Sequence, residues 1–113
     1  VLLCSGRVYY DLLREREARS DRSTAIVRLE QLYPLPEAEI REVLDAYPSA
    51  QVSWVQDEPR NQGAWPFLAL KMFMEWSKPV RLVSRPESAT TAAGRASLHK
   101  AQNADLIARA FDR

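Results

Sequence analysis

The side chains able to do chemistry crowd into one run, Val52 to Trp65, which reads VSWVQDEPRNQGAW. It holds two adjacent carboxylates, Asp57 and Glu58, then two amides, Asn61 and Gln62, and a glycine just before Trp65. Neighbours on an extended chain point to opposite faces, so Asp57 and Glu58 are badly placed to work together as acid and base. They are expected instead to meet an arginine or a helix N-terminus. Val52, Trp54 and Val55 read as a buried strand ended by Asp57, Glu58 and Pro59, with Arg60 to Gly63 opening a helix. There Asn61 has the side chain of an N-cap, and Gly63 allows close backbone approach. Capping does not account for Gln62, which beside a glycine and Trp65 suits a surface shaped to meet another chain or domain.

Elsewhere the candidates thin out. Cys4 and His99 are the sole thiol and imidazole, so a zinc site of Cys and His and an internal disulfide are both excluded. They make a nucleophile and base only if the fold joins them. Cys4 lies in the apolar run Val1 to Cys4 and reads as an inert core thiol, while His99 opens the last helix and caps or packs. Arg28 sits inside the strand AIVRL, where a charge needs a carboxylate or a bound anion. A structural ion pair is expected, with an effector phosphate as the alternative. Glu30 and Gln31 stand at the carboxyl end of that strand. Ser5 and Gly6 could offer backbone amides to an anion, although a small residue is needed there merely to turn the chain. No G-x-G-x-x-G follows the first strand, and no Walker A sequence occurs.

The elements that must position these groups alternate. Val1 to Cys4 is a strand, and Val8, Tyr9, Leu12 and Leu13 repeat at helical spacing after it. Ala25 to Leu29 is a second strand. Pro36 starts a helix carrying Ile40, Val43, Leu44 and Tyr47, with Glu37 and Glu39 in the first turn, where the helix dipole favours them. After the central strand, Trp65, Leu68, Ala69, Met72, Phe73 and Trp76 form a broad apolar stripe that sheet or another subunit must cover. Val80 to Ser84 is the fourth strand; Glu87 to Ser97 reads as a loop, and Leu98 to Phe111 as a closing helix. Strand and helix in alternation predict an α/β fold, a parallel sheet with helices on both faces.

Length and composition set bounds on this. The 113 residues suit one domain with its own core. Lys and Arg total 16 against 15 acidic residues, a net charge of +1. That balance argues against nucleic acid and a membrane surface as partners, and so against reading Trp54, Trp65, Trp76 and Phe73 as a base-stacking platform. No apolar run approaches the roughly 20 residues that span a bilayer. The chain opens without methionine on a strand, and is expected to be part of something longer.

Four segments carry a resemblance: VLLCSGRVYYDLL at 1 to 13, AIVRLEQLYPLP at 25 to 36, WVQDEPRNQGAW at 54 to 65, and RPESA at 85 to 89 with His99 beyond. Together they make the chain resemble the carboxyl-terminal domain of the E1 component of 2-oxoglutarate dehydrogenase, in its multifunctional actinobacterial and its simpler bacterial forms about equally. The resemblance implies a Rossmann-like, three-layer αβα sandwich of the transketolase C-terminal type, with a mostly parallel sheet and residues 1 to 113 as one non-catalytic domain. It implies that thiamine diphosphate and magnesium are held by other parts of the parent chain, with none bound here. The partners implied are the remainder of the E1 chain, its homodimer mate and the E2 dihydrolipoamide succinyltransferase. The compartment implied is the bacterial cytoplasm, or the mitochondrial matrix in a eukaryote. Arg28, Gln31, Asn61, Gln62, Trp65 and His99 become candidates for effector or interface contacts. Thr91 to Gly94 depart from the usual Pro-Ala-Thr-Gly of the family loop. The rival reading is a free-standing α/β domain that binds a small anionic metabolite at Ser5, Gly6 and Arg28.

Overall fold

Strands and helices alternate strictly in the computed structural model, which describes residues 1–76, 78–90 and 94–112 and the side chains of all of these but Phe73. The elements are β1 (Leu2–Cys4), α1 (Val8–Ala18), β2 (Ile26–Arg28), α2 (Glu37–Ala46), β3 (Val52–Pro59), α3 (Trp65–Glu75), β4 (Val80–Arg85) and α4 (Ala96–Phe111). The strands pair in the order β2-β1-β3-β4, every pair parallel.

That order explains the layers. The chain steps from β1 to β2 in one direction, then reverses past β1 to reach β3 and β4. With right-handed crossovers, opposite steps put their helices on opposite faces. Accordingly α1 and α4 cover one face, where Val8, Leu12, Leu106 and Ala110 pack with Leu2, Cys4, Val55 and Val83. On the other face α2 and α3 bring Ile40, Leu68 and Met72 against Leu3, Val52 and Trp54. The continuous apolar run of β1 is thereby used on both faces, as a central parallel strand requires. Arg81 and Arg109 tie α4 to β4: Arg81 donates to the carbonyls of Arg109 and Asp112 at the helix end, and Arg109 to that of Ser84.

Several boundaries differ from the sequence reading. β3 does not end before Asp57 but runs on through Pro59, which pairs with Arg85 beyond a register shift that follows Val55. A proline is tolerated there because the irregularity removes its ladder donor duty. Residues 60–64 are consequently a turn, and α3 begins only at Trp65. α4 starts at Ala96, so the loop after β4 is shorter than Glu87 to Ser97. β2 is a half-buried edge strand, not a core strand. In the expected stripe Leu68 and Met72 are buried; the Phe73 side chain, and residues 91–93 of the departing loop, lie outside the described residues. No described helix is long and apolar enough to cross a membrane.

Candidate functional site

The reversal in strand order opens a crevice at the carboxyl ends of β1 and β3, the usual ligand position of an open α/β sheet. A cleft of about 700 Å³ lies there, lined by the β1–α1 turn, Leu32 and Tyr33 after β2, the end of β3 and the start of α3. Its shape is set by one side chain that the sequence reading passed over.

Gln56 is 2% exposed on β3, and its amide holds the following turn from within. Its Oε1 accepts from Trp54 Nε1 at 2.9 Å and from the backbone N–H of Trp65 at 3.0 Å. Its Nε2 donates to the carbonyls of Pro59 at 2.9 Å and Gln62 at 2.8 Å, with a longer approach to Glu58. Carbonyls that turn away from the ladder need donors, and a neutral amide supplies donors and acceptor without a buried charge. The one signal in the sequence was a polar residue inside an apolar strand. Gly63 completes the turn at φ 66°, where a Cβ would also meet the Glu58 side chain at 3.0 Å.

The two amides, Asn61 expected as a cap and Gln62 at an interface, both make hydrogen bonds to the loop after β4. Asn61 exchanges a pair of bonds with the backbone of Ser88, donating to its carbonyl and accepting from its N–H, each at 3.0 Å. Gln62 donates to the carbonyls of Ser88 and Thr90 at 2.8 and 3.0 Å. Asn61 is not the N-cap of α3; that position is Ala64, which makes no side-chain capping bond. Together the amides clamp the loop between β4 and α4 to the turn. Trp65 contributes its backbone N–H to Gln56 and packs its half-buried ring on the α2/α3 core.

Among the described residues the two carboxylates meet neither an arginine side chain nor a helix N-terminus. Arg85 Nε donates to the Asp57 backbone carbonyl at 2.6 Å, whereas Asp57 Oδ1 is buried without a hydrogen-bond partner. Glu58 is exposed. Both carboxylates line the cleft.

Arg28 meets a carboxylate, as expected of a structural ion pair, but an exposed one. Its guanidinium lies over the rings of Tyr9 and Tyr10, donates to Tyr10 Oη at 3.2 Å and comes within 3.8 Å of Glu30, a well-exposed carboxylate. At the edge of the sheet, ring faces and solvent meet the charge that a core strand would have stranded. Its Nε is buried without a partner. Gln31 is exposed and donates to the Pro34 carbonyl at 2.7 Å, a contact within its own loop.

The model of the family described as 2-oxoglutarate dehydrogenase C-terminal matches residues 1–111. The chain belongs to the 2-oxoglutarate dehydrogenase C-terminal family. It is similar to the 2-oxoglutarate dehydrogenase E1 components of Cupriavidus necator and Haemophilus influenzae, each 42% identical over 114 residues that cover 98% and 95% of this chain, and 12% of each relative. That of Brucella anthropi is 40% identical over 115 residues, covering 95% of this chain and 11% of the relative. The chain thus spans about an eighth of the length of the curated relatives it matches.

In this 2-oxoglutarate dehydrogenase C-terminal domain the remaining candidates are Cys4 and His99. Cys4 is fully buried, and burial pushes its thiol up to about 12 against a smaller opposing pull from Arg28. A thiol so held stays protonated and is no nucleophile. His99 lies half-buried in the first turn of α4, its backbone N–H donating to the Arg95 carbonyl, and no hydrogen bond joins it to Cys4. Among the described residues no three His, Cys, Asp or Glu side chains converge as a metal ligand set.

Proposed function

We propose that the domain serves as the non-catalytic carboxyl-terminal part of a 2-oxoglutarate dehydrogenase E1 polypeptide. The parent enzyme decarboxylates 2-oxoglutarate with thiamine diphosphate and magnesium, and passes the succinyl group to the lipoamide of the E2 dihydrolipoamide succinyltransferase, a step of the tricarboxylic acid cycle. Its setting is the bacterial cytoplasm. No step of that chemistry is assigned to these residues; their work is to pack against the remainder of the E1 chain and its homodimer mate.

One observation carries the reading. Nearly the whole chain matches the family, while covering only 12% of E1 components such as that of Cupriavidus necator. Exposed apolar side chains that lie together give it physical support: Tyr33 is 83% exposed beside Phe67, and Phe67, Leu70 and Met74, the last two 64% and 71% exposed, follow one another at helical spacing on α3. The rival, a free-standing binder of a small anion, is disfavoured by Asp57 and Glu58, which would repel an anion held at Ser5 and Gly6 in the same cleft.

Calorimetry of the isolated domain with thiamine diphosphate and magnesium tests the assignment. No heat of binding and no turnover of 2-oxoglutarate are expected; stoichiometric binding would sink it.

A further inference from the structure

Three features of the cleft point the same way. Its walls are mainly apolar, yet Asp57 and Glu58 outnumber the single basic lining residue, Arg7. Asp57 has Oδ1 sealed from water and without a donor, although the residue as a whole is only partly buried. A carboxylate in that state is poorly solvated on one side, and a cation against its accessible side offsets the loss. At the mouth, Tyr33 meets Phe67 edge to face, ring centroids 6.5 Å apart, and is otherwise open to solvent. From Phe67 a stripe at helical spacing continues along α3 through the exposed Leu70 and Met74.

We propose that this cleft and stripe receive a segment of the E1 polypeptide lying outside these 113 residues, one that places an arginine or lysine against Asp57 and an apolar side chain against Tyr33 and Phe67. The inference rests on the E1 reading above and names its contact surface. Charge selects the occupant: an acidic segment or an anionic metabolite would meet two carboxylates, whereas a basic one neutralises them. The apolar walls need an aliphatic or aromatic companion, which a lone metal ion does not supply. The remaining seven-eighths of the relatives' length provides ample chain for such a segment. With the cleft closed, the pair is shielded from water, so losing one partner leaves the other buried and unmatched.

The test uses the full-length E1 polypeptide that carries this domain. A photo-crosslinking phenylalanine is placed at Tyr33, with a control at Tyr47, exposed beyond the end of α2. Irradiation from position 33 is expected to capture an E1 peptide outside the domain with an arginine or lysine close to the site of attachment. Asp57→Asn should cut that yield about tenfold, as expected for an unpaired partner, and Asp57→Glu should restore most of it, with the melting temperature of neither variant lowered. Capture of E2 alone, no capture, or a yield indifferent to Asp57→Asn would each overturn the proposal. If position 33 stays silent while the control captures E1, the cleft proposal falls and the E1 reading stands; if neither captures E1, both fall.

Discussion

Gln56 reaches across six positions to hold the carbonyl of Gln62 at 2.8 Å, while its other end accepts from the backbone of Trp65. One buried amide therefore fixes the exit of β3 and the entry of α3 together. Gln56→Met keeps the volume and removes the bonds, leaving the indole of Trp54 and the carbonyls of Pro59 and Gln62 unmatched. At about 1–3 kcal/mol for each unsatisfied buried group, a total loss of about 3–5 kcal/mol is expected in urea unfolding. A loss under about 1 kcal/mol would show that water replaces the amide without cost.

Asn61 and Gln62 converge on the same carbonyl of Ser88. Each alanine substitution should cost about 1 kcal/mol of stability. The double variant should fall short of the sum, because the two share an acceptor. Hydrogen exchange at Ser88 supplies the local reading: its N–H, donated to Asn61, should lose protection in Asn61→Ala. If Gln62→Ala melted as the parent does, the clamp would not extend to it.

Arg28→Met should be mild. Its carboxylate neighbour Glu30 is exposed and 3.8 Å away, so removal of the cation strands no buried anion. What is lost is ring stacking and a weak exposed pair, about 1–2 kcal/mol together, against the roughly 3–5 kcal/mol of a broken buried pair. A loss in that upper range would mean that a buried carboxylate does depend on Arg28.

Lys71 joins α2 to α3, donating to Glu37 at 2.9 Å and lying 3.3 Å from both Glu75 oxygens. Its hydrogen bond holds the Glu37 carboxyl below the ordinary glutamate range, and its bonds to Glu37 and then Glu75 raise its own ammonium. A lowered acid stabilises fully above its unfolded pKa, about 4.3, and loses that contribution as pH falls through the folded value. The melting difference between the parent and Lys71→Gln should thus be steady from neutrality to about pH 5 and close below it. A gap that stays constant into strong acid would contradict the pairing.

Much of the fold was legible because parallel strands leave a plain trace. Leu2, Leu3 and Cys4 had to be buried on both faces, and the helices between strands kept their apolar spacing. The turn was harder, for physical reasons. Pro59 looks like a strand terminator unless a register shift relieves it, and nothing local announces that shift. Asn61 is chemically as good an N-cap as a clamp; its partner Ser88 lies 27 residues on, and only the path of the loop decides between them. Gln56 fell inside an apolar strand, so its polarity passed for noise. That the Arg28 pair is exposed was not legible, because an edge strand and a core strand share the same pattern of residues.

The central claim, that this domain holds an E1 assembly together without taking part in its chemistry, is tested most directly by sedimentation of the full-length E1 polypeptide with and without residues 1–113. The account predicts that the intact chain sediments as a dimer that turns over 2-oxoglutarate in the reconstituted complex, and that the shortened chain dissociates at the same concentration and loses turnover with it. A shortened chain that remained a fully active dimer would contradict it.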